Sequence, residues 1–142
     1  MDDYRFVLTW PVQWGDQDAF GHVNNTVYFR WFESARIAYM DQLGLDDLYR
    51  TQQIGPILAS IRCNYRRQLH YPDTVQIGAR VTRLGRSSIA MEHRIVSVQQ
   101  GEIVADGDST LVVYDYRAQK SHPIPSELRQ AIEAFEQAKL GE

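Results

Sequence analysis

The chain has 142 residues, enough for one hydrophobic core and too few for two ordinary domains, so residues 1–142 are predicted to form a single domain. Its net charge of −3 provides no broad positive surface for a nucleic-acid backbone. No basic, apolar leader and no membrane-spanning apolar run is found, so we expect a cytoplasmic protein with neither nucleic-acid nor membrane partners. The single cysteine excludes an internal disulfide bond and a thiolate-rich metal site.

An amphipathic strand is predicted at residues 6–14, where apolar and polar side chains alternate. The apolar side chains at even positions share one face, as is typical of a half-buried strand: Phe6, Leu8, Trp10, Val12 and Trp14. Pro11 has no backbone N–H to donate, which places this strand at a sheet edge or at a bulge.

A long helix is predicted from Asn24 or Asn25 to Leu43. Either asparagine is suited to capping the helix start, and Gly44 is suited to ending it. The apolar positions recur at helical spacing over most of the circumference: Tyr28, Phe29, Trp31, Phe32, Ala35, Ile37, Tyr39 and Met40. A helix with this pattern must be covered by other elements on several sides.

Strands dominate the middle of the chain, and the predicted ranges are 57–68, 74–84, 88–98 and 102–114. The three connections between them are short and rich in turn residues, which favours antiparallel neighbours. Gly107 is expected to mark a bulge in the last strand. A second helix is predicted to follow Pro125 and to end at Gly141.

This order of elements predicts an α+β fold. A single sheet can cover a helix that is apolar over most of its circumference only by curling around it. We therefore expect a curled, antiparallel, five-stranded sheet around the long central helix, with the C-terminal helix in addition. An open sheet keeps an unpaired edge that invites pairing with a second copy, so at least a homodimer is expected.

The segment WGDQDAFGHVNN at residues 14–25 places ionisable residues immediately before the helix start. A helix N-terminus offers unpaired N–H groups and partial positive charge, which suit a developing oxyanion. Asp18 would face a carbonyl group bound near Asn25 and act as nucleophile or as general base toward water. Gly21 would allow close approach of backbone and substrate. The spacing is also compatible with side chains that only cap the helix.

The segment DQDAFGHVNNTVYFRWFESAR at residues 16–36 resembles the signature of hotdog-fold acyl-CoA thioesterases of the 4-hydroxybenzoyl-CoA thioesterase type. The likeness extends more faintly through the strand order to IPSELRQAI at residues 124–132. It implies a hotdog fold with active sites at a dimer interface. It also implies hydrolysis that needs neither a metal nor a cofactor.

The resemblance assigns roles to particular residues. The second aspartate of the family's DxD is the catalytic carboxylate and falls on Asp18, and the helix-start amide that polarises the thioester carbonyl falls near Asn25. His22 matches the HVNN form of fatty-acyl thioesterase branches, in which a histidine is catalytic. Phe20 replaces the asparagine that plant members carry two residues before that histidine. His22 is therefore expected to assist, to position Asp18 or water, or only to bridge the loop backbone.

Basic and aromatic residues elsewhere are further candidates for binding substrate. Arg86 and Ser87 match a region where family members hold the nucleotide end of coenzyme A. Tyr28 either lines the acyl pocket or packs in the core. Four more arginines either join a phosphate-binding patch or lie solvated at strand ends: Arg62, Arg66, Arg67 and Arg83.

The remaining ionisable residues are expected to be structural. Asp16 should hold the loop through its own hydrogen bonds, and Glu33 lies too far along the helix to reach the same carbonyl group. Cys63 is expected to be an ordinary buried residue of a strand. The four histidines, His22, His70, His93 and His122, show no metal-ligand spacing.

These observations together predict an acyl-CoA thioesterase that hydrolyses a thioester to a free carboxylic acid and coenzyme A. A homodimer is expected, and association of two dimers is left open. Two alternatives remain from the sequence. One is a hotdog hydroxyacyl dehydratase, and the other is a module that binds acyl-CoA without catalysis.

Overall fold

One antiparallel sheet curls around a long helix in the structure, a computed structural model that describes residues 1–141. The elements in chain order are β1 (Phe6–Pro11), α1 (Asn25–Gln42), α2 (Leu45–Gln52), β2 (Ile54–Tyr65), β3 (Thr74–Leu84), β4 (Ser88–Ser97), β5 (Glu102–Asp115), β6 (Lys120–Ser121) and α3 (Ser126–Glu136). The strand order is β1-β3-β4-β5-β2, and the two-residue β6 pairs with β5. This arrangement confirms the predicted α+β hotdog architecture.

Helix α1 forms the centre of the hydrophobic core. It begins after Asn24, whose side chain caps it, and it ends before Gly44, which adopts a left-handed conformation with φ 95°. Its buried side chains are Val27, Tyr28, Trp31, Phe32, Ala35, Arg36, Tyr39 and Met40. The facing sheet contributes alternate residues of β4, which are all buried: Ile89, Met91, His93, Ile95 and Ser97. The predicted coverage of the aromatic helix is thus confirmed, except at Ile37, which is 51% exposed.

The tightest contact between helix and sheet lies at Gly107. The ring of Phe32 stacks on that of His93, with centroids 4.7 Å apart. Gly107 pairs with His93 on β4 and with Cys63 on β2 without a break in register. The expected bulge at Gly107 is therefore wrong. A Cβ atom here would collide with the Arg62 carbonyl oxygen and lie 2.8 Å from Cε2 of Phe32, so glycine is required by close packing.

The edges of the sheet are formed by β1 and β2. Pro11 ends β1, in agreement with the prediction that this strand lies at an edge. The strand does not continue to residue 14, because the chain turns into a short 3-10 helix at Trp14–Asp16. Trp10, within β1, is 46% exposed and Trp14, beyond it, is 74% exposed, so their expected place on a buried strand face is wrong.

Other boundaries differ from the sequence prediction. Helix α2 was not predicted, and β2 begins and ends three residues earlier than the range 57–68. The left-handed Gly44 that ends α1 also precedes α2, whose first turn carries Asp46 and Asp47 and whose last turn carries Arg50. Helix α3 ends at residue 136, where Gln137 adopts the left-handed conformation, and does not reach Gly141. None of the described helices combines the length and apolar character needed to cross a bilayer.

Replacing Gly107 by alanine should destabilise the fold. The added methyl group overpacks the contact between β5, β2 and α1, and we expect a loss of about 3 kcal/mol in the free energy of unfolding. Urea denaturation measures this change. Gly15→Ala is the matched control, because a Cβ atom at Gly15 meets nothing within 4 Å. Equal stability of the two variants would contradict the packing role of Gly107.

Candidate active site

A closed loop of residues 16–24 leads into α1. The Asp18 N–H donates to the His22 carbonyl oxygen (2.7 Å), and the Asn24 N–H donates to the Asp16 carbonyl oxygen (2.9 Å). The Val23 N–H donates to the Leu69 carbonyl oxygen (2.8 Å), which ties the loop to the connection between β2 and β3. The Asp16 carboxylate accepts from the Gln13 N–H at 2.7 Å, so Asp16 has the structural role that was predicted.

Asp18 is half-buried and is oriented by the loop backbone. Its Oδ1 atom accepts hydrogen bonds from the Phe20 N–H (2.8 Å) and the His22 N–H (3.3 Å). Among residues 1–141, no hydrogen bond engages its Oδ2 atom. Asp18 can therefore bond to the loop backbone and also take part in chemistry, because one oxygen orients the side chain while the other remains available. Gly21 adopts φ 82°, which a residue with a Cβ atom rarely tolerates.

The start of α1 supplies hydrogen-bond donors. Asn24 accepts the Thr26 N–H at 3.0 Å through its side-chain oxygen. Within the described part of the chain, the Asn25 N–H has no hydrogen-bond acceptor. The Asn25 carbonyl oxygen accepts a hydrogen bond from the Tyr65 hydroxyl at 3.0 Å, which joins the end of β2 to the helix start. One unpaired amide at the positive end of an 18-residue helix is thus available to a ligand oxygen.

These groups share one cavity of about 370 Å³, which we call the loop cavity. It is lined by Asp18, His22, Val23, Asn24, Asn25, Tyr28, Tyr65, Arg66, Arg67, Gln68 and Leu69. Four of the predicted site residues, Asp18, His22, Asn25 and Tyr28, therefore lie together. Tyr28 is only 3% exposed, so it belongs to the core and also lines the cavity. Burial raises the pKa of Tyr28 to about 12, so its hydroxyl stays protonated at neutral pH.

Two contributors to this region were not predicted. Tyr65 packs edge-on against Tyr28, with ring centroids 5.0 Å apart. His70 packs edge-on against His22 at 5.0 Å, and its Nδ1 atom lies 3.0 Å from the Gly21 carbonyl oxygen. A carbonyl oxygen only accepts, so this contact requires a proton on Nδ1. Neither residue carries a local sequence signal, since both reach the loop through the path of the chain after β2.

Arg86 and Ser87 do not join the other candidates within one chain. The loop cavity lies near the start of β3, since Leu69 and the residues before Thr74 contact the loop. Arg86 and Ser87 follow Leu84, at the opposite end of this strand of 11 residues. At the cavity itself, Arg66 is paired with Asp106 at 2.9 Å, and Arg67 lies 3.9 Å from its nearest carboxylate.

Cysteine and metal chemistry receive no support from the described residues. Burial raises the pKa of Cys63 to about 11, so its thiol is not a nucleophile at neutral pH. His93 is buried in the core, where its Nε2 atom lies 2.8 Å from the Ser109 hydroxyl. Burial, with a smaller contribution from the Arg36 charge, lowers its pKa to about 3. Residues 1–141 contain no group of three or more side chains suited to holding a metal ion.

Comparison with known proteins places this arrangement in a family. Residues 12–132 match the family model described as the thioesterase-like superfamily. The chain belongs to the thioesterase-like superfamily. The matched residues include the loop at 16–24, helix α1 and all of the sheet except β1.

Several proteins are similar to this chain over most of their length. The chain is 28% identical over 116 residues to the long-chain acyl-CoA thioesterase FadM of Escherichia coli strain K12, which covers 82% of this chain and 88% of FadM. A thioesterase from Thermus thermophilus, solved in complex with coenzyme A and Zn, is 32% identical. Its TM-score is 0.87, with 99% of this chain and 100% of that chain covered. The PA2801 protein of Pseudomonas aeruginosa is 34% identical, with a TM-score of 0.81 and coverage of 91% and 98%.

His70 should hold the loop of this superfamily member in place. His70→Ala removes the hydrogen bond to the Gly21 carbonyl oxygen, worth about 1 kcal/mol. Amide hydrogen exchange of residues 16–24 should become about fivefold faster, as measured by mass spectrometry. His122→Ala is the control, because His122 makes a similar exposed contact to the Pro123 carbonyl oxygen, outside the loop cavity. An unchanged rate of amide hydrogen exchange in His70→Ala would contradict the role of His70 in holding the loop.

Proposed function

We propose that this protein is an acyl-CoA thioesterase that hydrolyses a thioester to a free carboxylic acid and coenzyme A. The observation that carries the proposal is the juxtaposition of two groups on one cavity. One is the half-buried Asp18 carboxylate with an unengaged oxygen, and the other is the unpaired Asn25 N–H at the start of α1. Membership of the superfamily and the similarity to FadM support the same chemistry.

The reaction develops negative charge on the thioester carbonyl oxygen. The Asn25 N–H donates a hydrogen bond to this oxygen, and the positive end of the helix stabilises the charge as it forms. Asp18 Oδ2 takes a proton from water while the water oxygen attacks the carbonyl carbon. Collapse of the tetrahedral intermediate breaks the C–S bond, and the departing thiolate takes up the proton. A second route, in which Asp18 attacks the carbonyl and water hydrolyses the resulting anhydride, uses the same two groups.

His22 has a positioning role in this scheme. Its backbone N–H donates to Oδ1 of Asp18, so the other carboxylate oxygen is directed away from the loop backbone. Its ring is supported by His70, whose contact with Gly21 fixes the turn between Asp18 and His22. The side chain of His22 lines the loop cavity and can orient the attacking water.

Coenzyme A carries phosphates that need cationic partners. Arg67 is the most available one at the loop cavity, because its carboxylate neighbour is distant at 3.9 Å, whereas Arg66 is held by Asp106. We also propose that Arg86 and Ser87 contact the nucleotide end of coenzyme A. Their position at the far end of β3 means that they reach this ligand only from a second copy of the chain. The reaction itself uses no metal and no cofactor.

We also propose that the protein pairs with a second copy of itself. Strand β2 is an edge strand, and its exposed apolar side chains include Ile57, Leu58 and Tyr65. Pairing of β2 with its symmetry mate would satisfy the backbone groups of this edge. Association of two such dimers is compatible with the proposal. Within the superfamily, the segment at 16–36 supports the 4-hydroxybenzoyl-CoA thioesterase type, and the lone cysteine supports a cytoplasmic location.

Asp18→Asn tests the chemistry. The amide oxygen still accepts the Phe20 and His22 N–H groups, so the fold should persist, while loss of the carboxylate should lower kcat/KM about a thousandfold. A thiol-release assay over short, long and aromatic acyl-CoAs measures the rate. Asp16→Asn is the control in the same loop, because Asp16 does not line the cavity. Near-normal rates in Asp18→Asn would remove this residue from the mechanism. Enoyl product, or binding without thiol release, would refute hydrolysis.

The oligomeric state tests the role of β2. Sedimentation equilibrium should give twice the chain mass of 16.4 kDa, or four times that mass if dimers associate. Ile57→Lys places a charge on the exposed edge and should shift the protein toward monomer. Val98→Lys is the control, because Val98 is exposed outside β2. A monomer in the unmodified protein would contradict the proposed pairing.

A further inference from the structure

A second cavity lies between α1, α2 and β2. Its volume is about 420 Å³, and we call it the helix cavity. It is lined mainly by apolar side chains, namely Ile37, Met40, Leu45, Tyr49, Pro56, Leu58 and Leu111. The charged residues in its wall are Glu33, Arg36, Asp41 and Asp46. The chemistry proposed above uses none of these residues.

Arg36 is the unusual member of this wall. It is only 5% exposed, and its Nη1 atom is buried without a hydrogen-bond partner. Among residues 1–141, no hydrogen bond or ion pair engages any part of its guanidinium group. Arg62 and Arg80 of the sheet are paired instead, with Asp108 and with Glu92. Burial of an unpaired guanidinium costs several kcal/mol, so a ligand that supplies an acceptor would recover part of that cost.

The Arg36 guanidinium lacks a hydrogen-bond acceptor more than it lacks a neighbouring negative charge. Burial lowers the pKa of Arg36, and the neighbouring Glu33 carboxylate opposes that shift. Glu33, Asp41 and Asp46 are all exposed at the cavity wall, and none of them bonds to the guanidinium. An oxygen atom that enters the cavity on an apolar chain fits this arrangement, because the chain contacts the apolar wall and the oxygen meets the guanidinium.

The helix cavity and the loop cavity lie at the two ends of one row of side chains on β2. In the register of β2 with β5, Leu58, Ile61, Cys63 and Tyr65 oppose the residues of β5 that face the helix. They form a row along the inner face of β2. Leu58 lines the helix cavity and Tyr65 lines the loop cavity. This row therefore gives an acyl chain a mainly apolar path between the two cavities.

The position of Arg36 on α1 indicates how far it lies from the start of the helix. Asn25, which receives the thioester carbonyl in the proposed reaction, and Arg36 are separated by roughly 16 Å along the axis, at about 1.5 Å per residue. Carbon–carbon bonds of about 1.5 Å advance an extended chain by roughly 1.3 Å per carbon, so the separation corresponds to about twelve carbons. A substituent near the far end of a medium-length acyl chain would reach Arg36.

We propose that Arg36 binds an oxygen atom near the distal end of the acyl group, so that the preferred substrates are medium-chain acyl-CoAs carrying a terminal hydroxyl or carboxyl oxygen. This assignment rests on the proposed hydrolase function and specifies its substrate class. The apolar row of β2 binds the methylene chain, and the guanidinium donates to the terminal oxygen. Because the acidic residues at the cavity wall disfavour a further negative charge, the hydroxyl form should be the better substrate of the two.

Matched substrates test this assignment. Thiol release is measured with octanoyl-, dodecanoyl- and hexadecanoyl-CoA, each with and without a terminal hydroxyl group, and with the terminal dicarboxylic dodecanoyl analogue. A hydrogen bond to a charged group is worth about 1.5–3 kcal/mol, so kcat/KM should be about 10- to 100-fold higher for the hydroxylated dodecanoyl chain than for the plain one. Equal rates for every hydroxylated and plain pair would overturn the proposal.

Arg36→Met removes the donor while keeping a long apolar side chain. The preference for the hydroxylated dodecanoyl chain should disappear, and the melting temperature should stay or rise because an unpaired buried charge is gone. Arg30→Met is the control on the same helix, because Arg30 is exposed and does not line the helix cavity. A preference that survives in Arg36→Met would overturn the proposal. Conversion of a dimer to monomer in this variant, measured by sedimentation, would also overturn it by assigning Arg36 to the subunit contact.

Two further measurements test the role of Arg36 even if Arg36→Met does not fold or the protein does not hydrolyse thioesters. Leu58→Trp narrows the helix cavity from β2 and should remove the same preference while Arg36 remains, which covers the case in which Arg36→Met does not fold. Calorimetric binding of plain and hydroxylated dodecanoyl-CoA to Asp18→Asn requires no hydrolysis. Tighter binding of the hydroxylated chain supports the assignment even if no thioester is cleaved, whereas equal affinities would refute it.

Discussion

Enclosure of one aromatic helix by a curled sheet is the constraint on which the rest of this structure depends. Helix α1 buries eight of its 18 residues, and the sheet approaches it closely enough at Gly107 that the ring of Phe32 leaves no space for a methyl group. This packing fixes the position of the helix along and around its axis. The start of α1, and with it the Asn25 amide, is therefore held by the hydrophobic core as well as by the Asn24 cap.

The site combines this fixed helix end with a loop that is held from two sides. Backbone hydrogen bonds connect the loop to the helix start through Asp16 and to the β2–β3 connection through Leu69. Within the loop, backbone amides orient the Asp18 carboxylate. Such an arrangement pre-positions a carboxylate and an amide donor before substrate arrives, so less ordering entropy is lost when it binds.

Several independent signals made α1 and its site predictable from the sequence. Three features indicate the same helix, namely a cap at Asn24, aromatic residues at helical spacing and Gly44. The observed helix differs from the prediction by at most one residue at each end. Helix α2 was missed because eight residues carry only a short pattern between two stronger elements. The first strand was predicted too long because Trp14 continues the alternation of apolar and polar residues beyond the end of β1. His70, Tyr65 and the unpaired state of Arg36 depend on tertiary contacts, so no local pattern could identify them.

The double attachment of the loop at 16–24 also affects how its length can vary. Surface loops usually accept insertions and deletions because their ends tolerate small displacements. Here the Gln17–Val23 bridge and the Asp18–His22 contact close the loop on itself, and Gly21 completes the turn with a positive φ. An added or deleted residue would rotate the carboxylate away from the helix end. Natural variation in this family should therefore change side chains within the loop far more readily than the number of residues it contains.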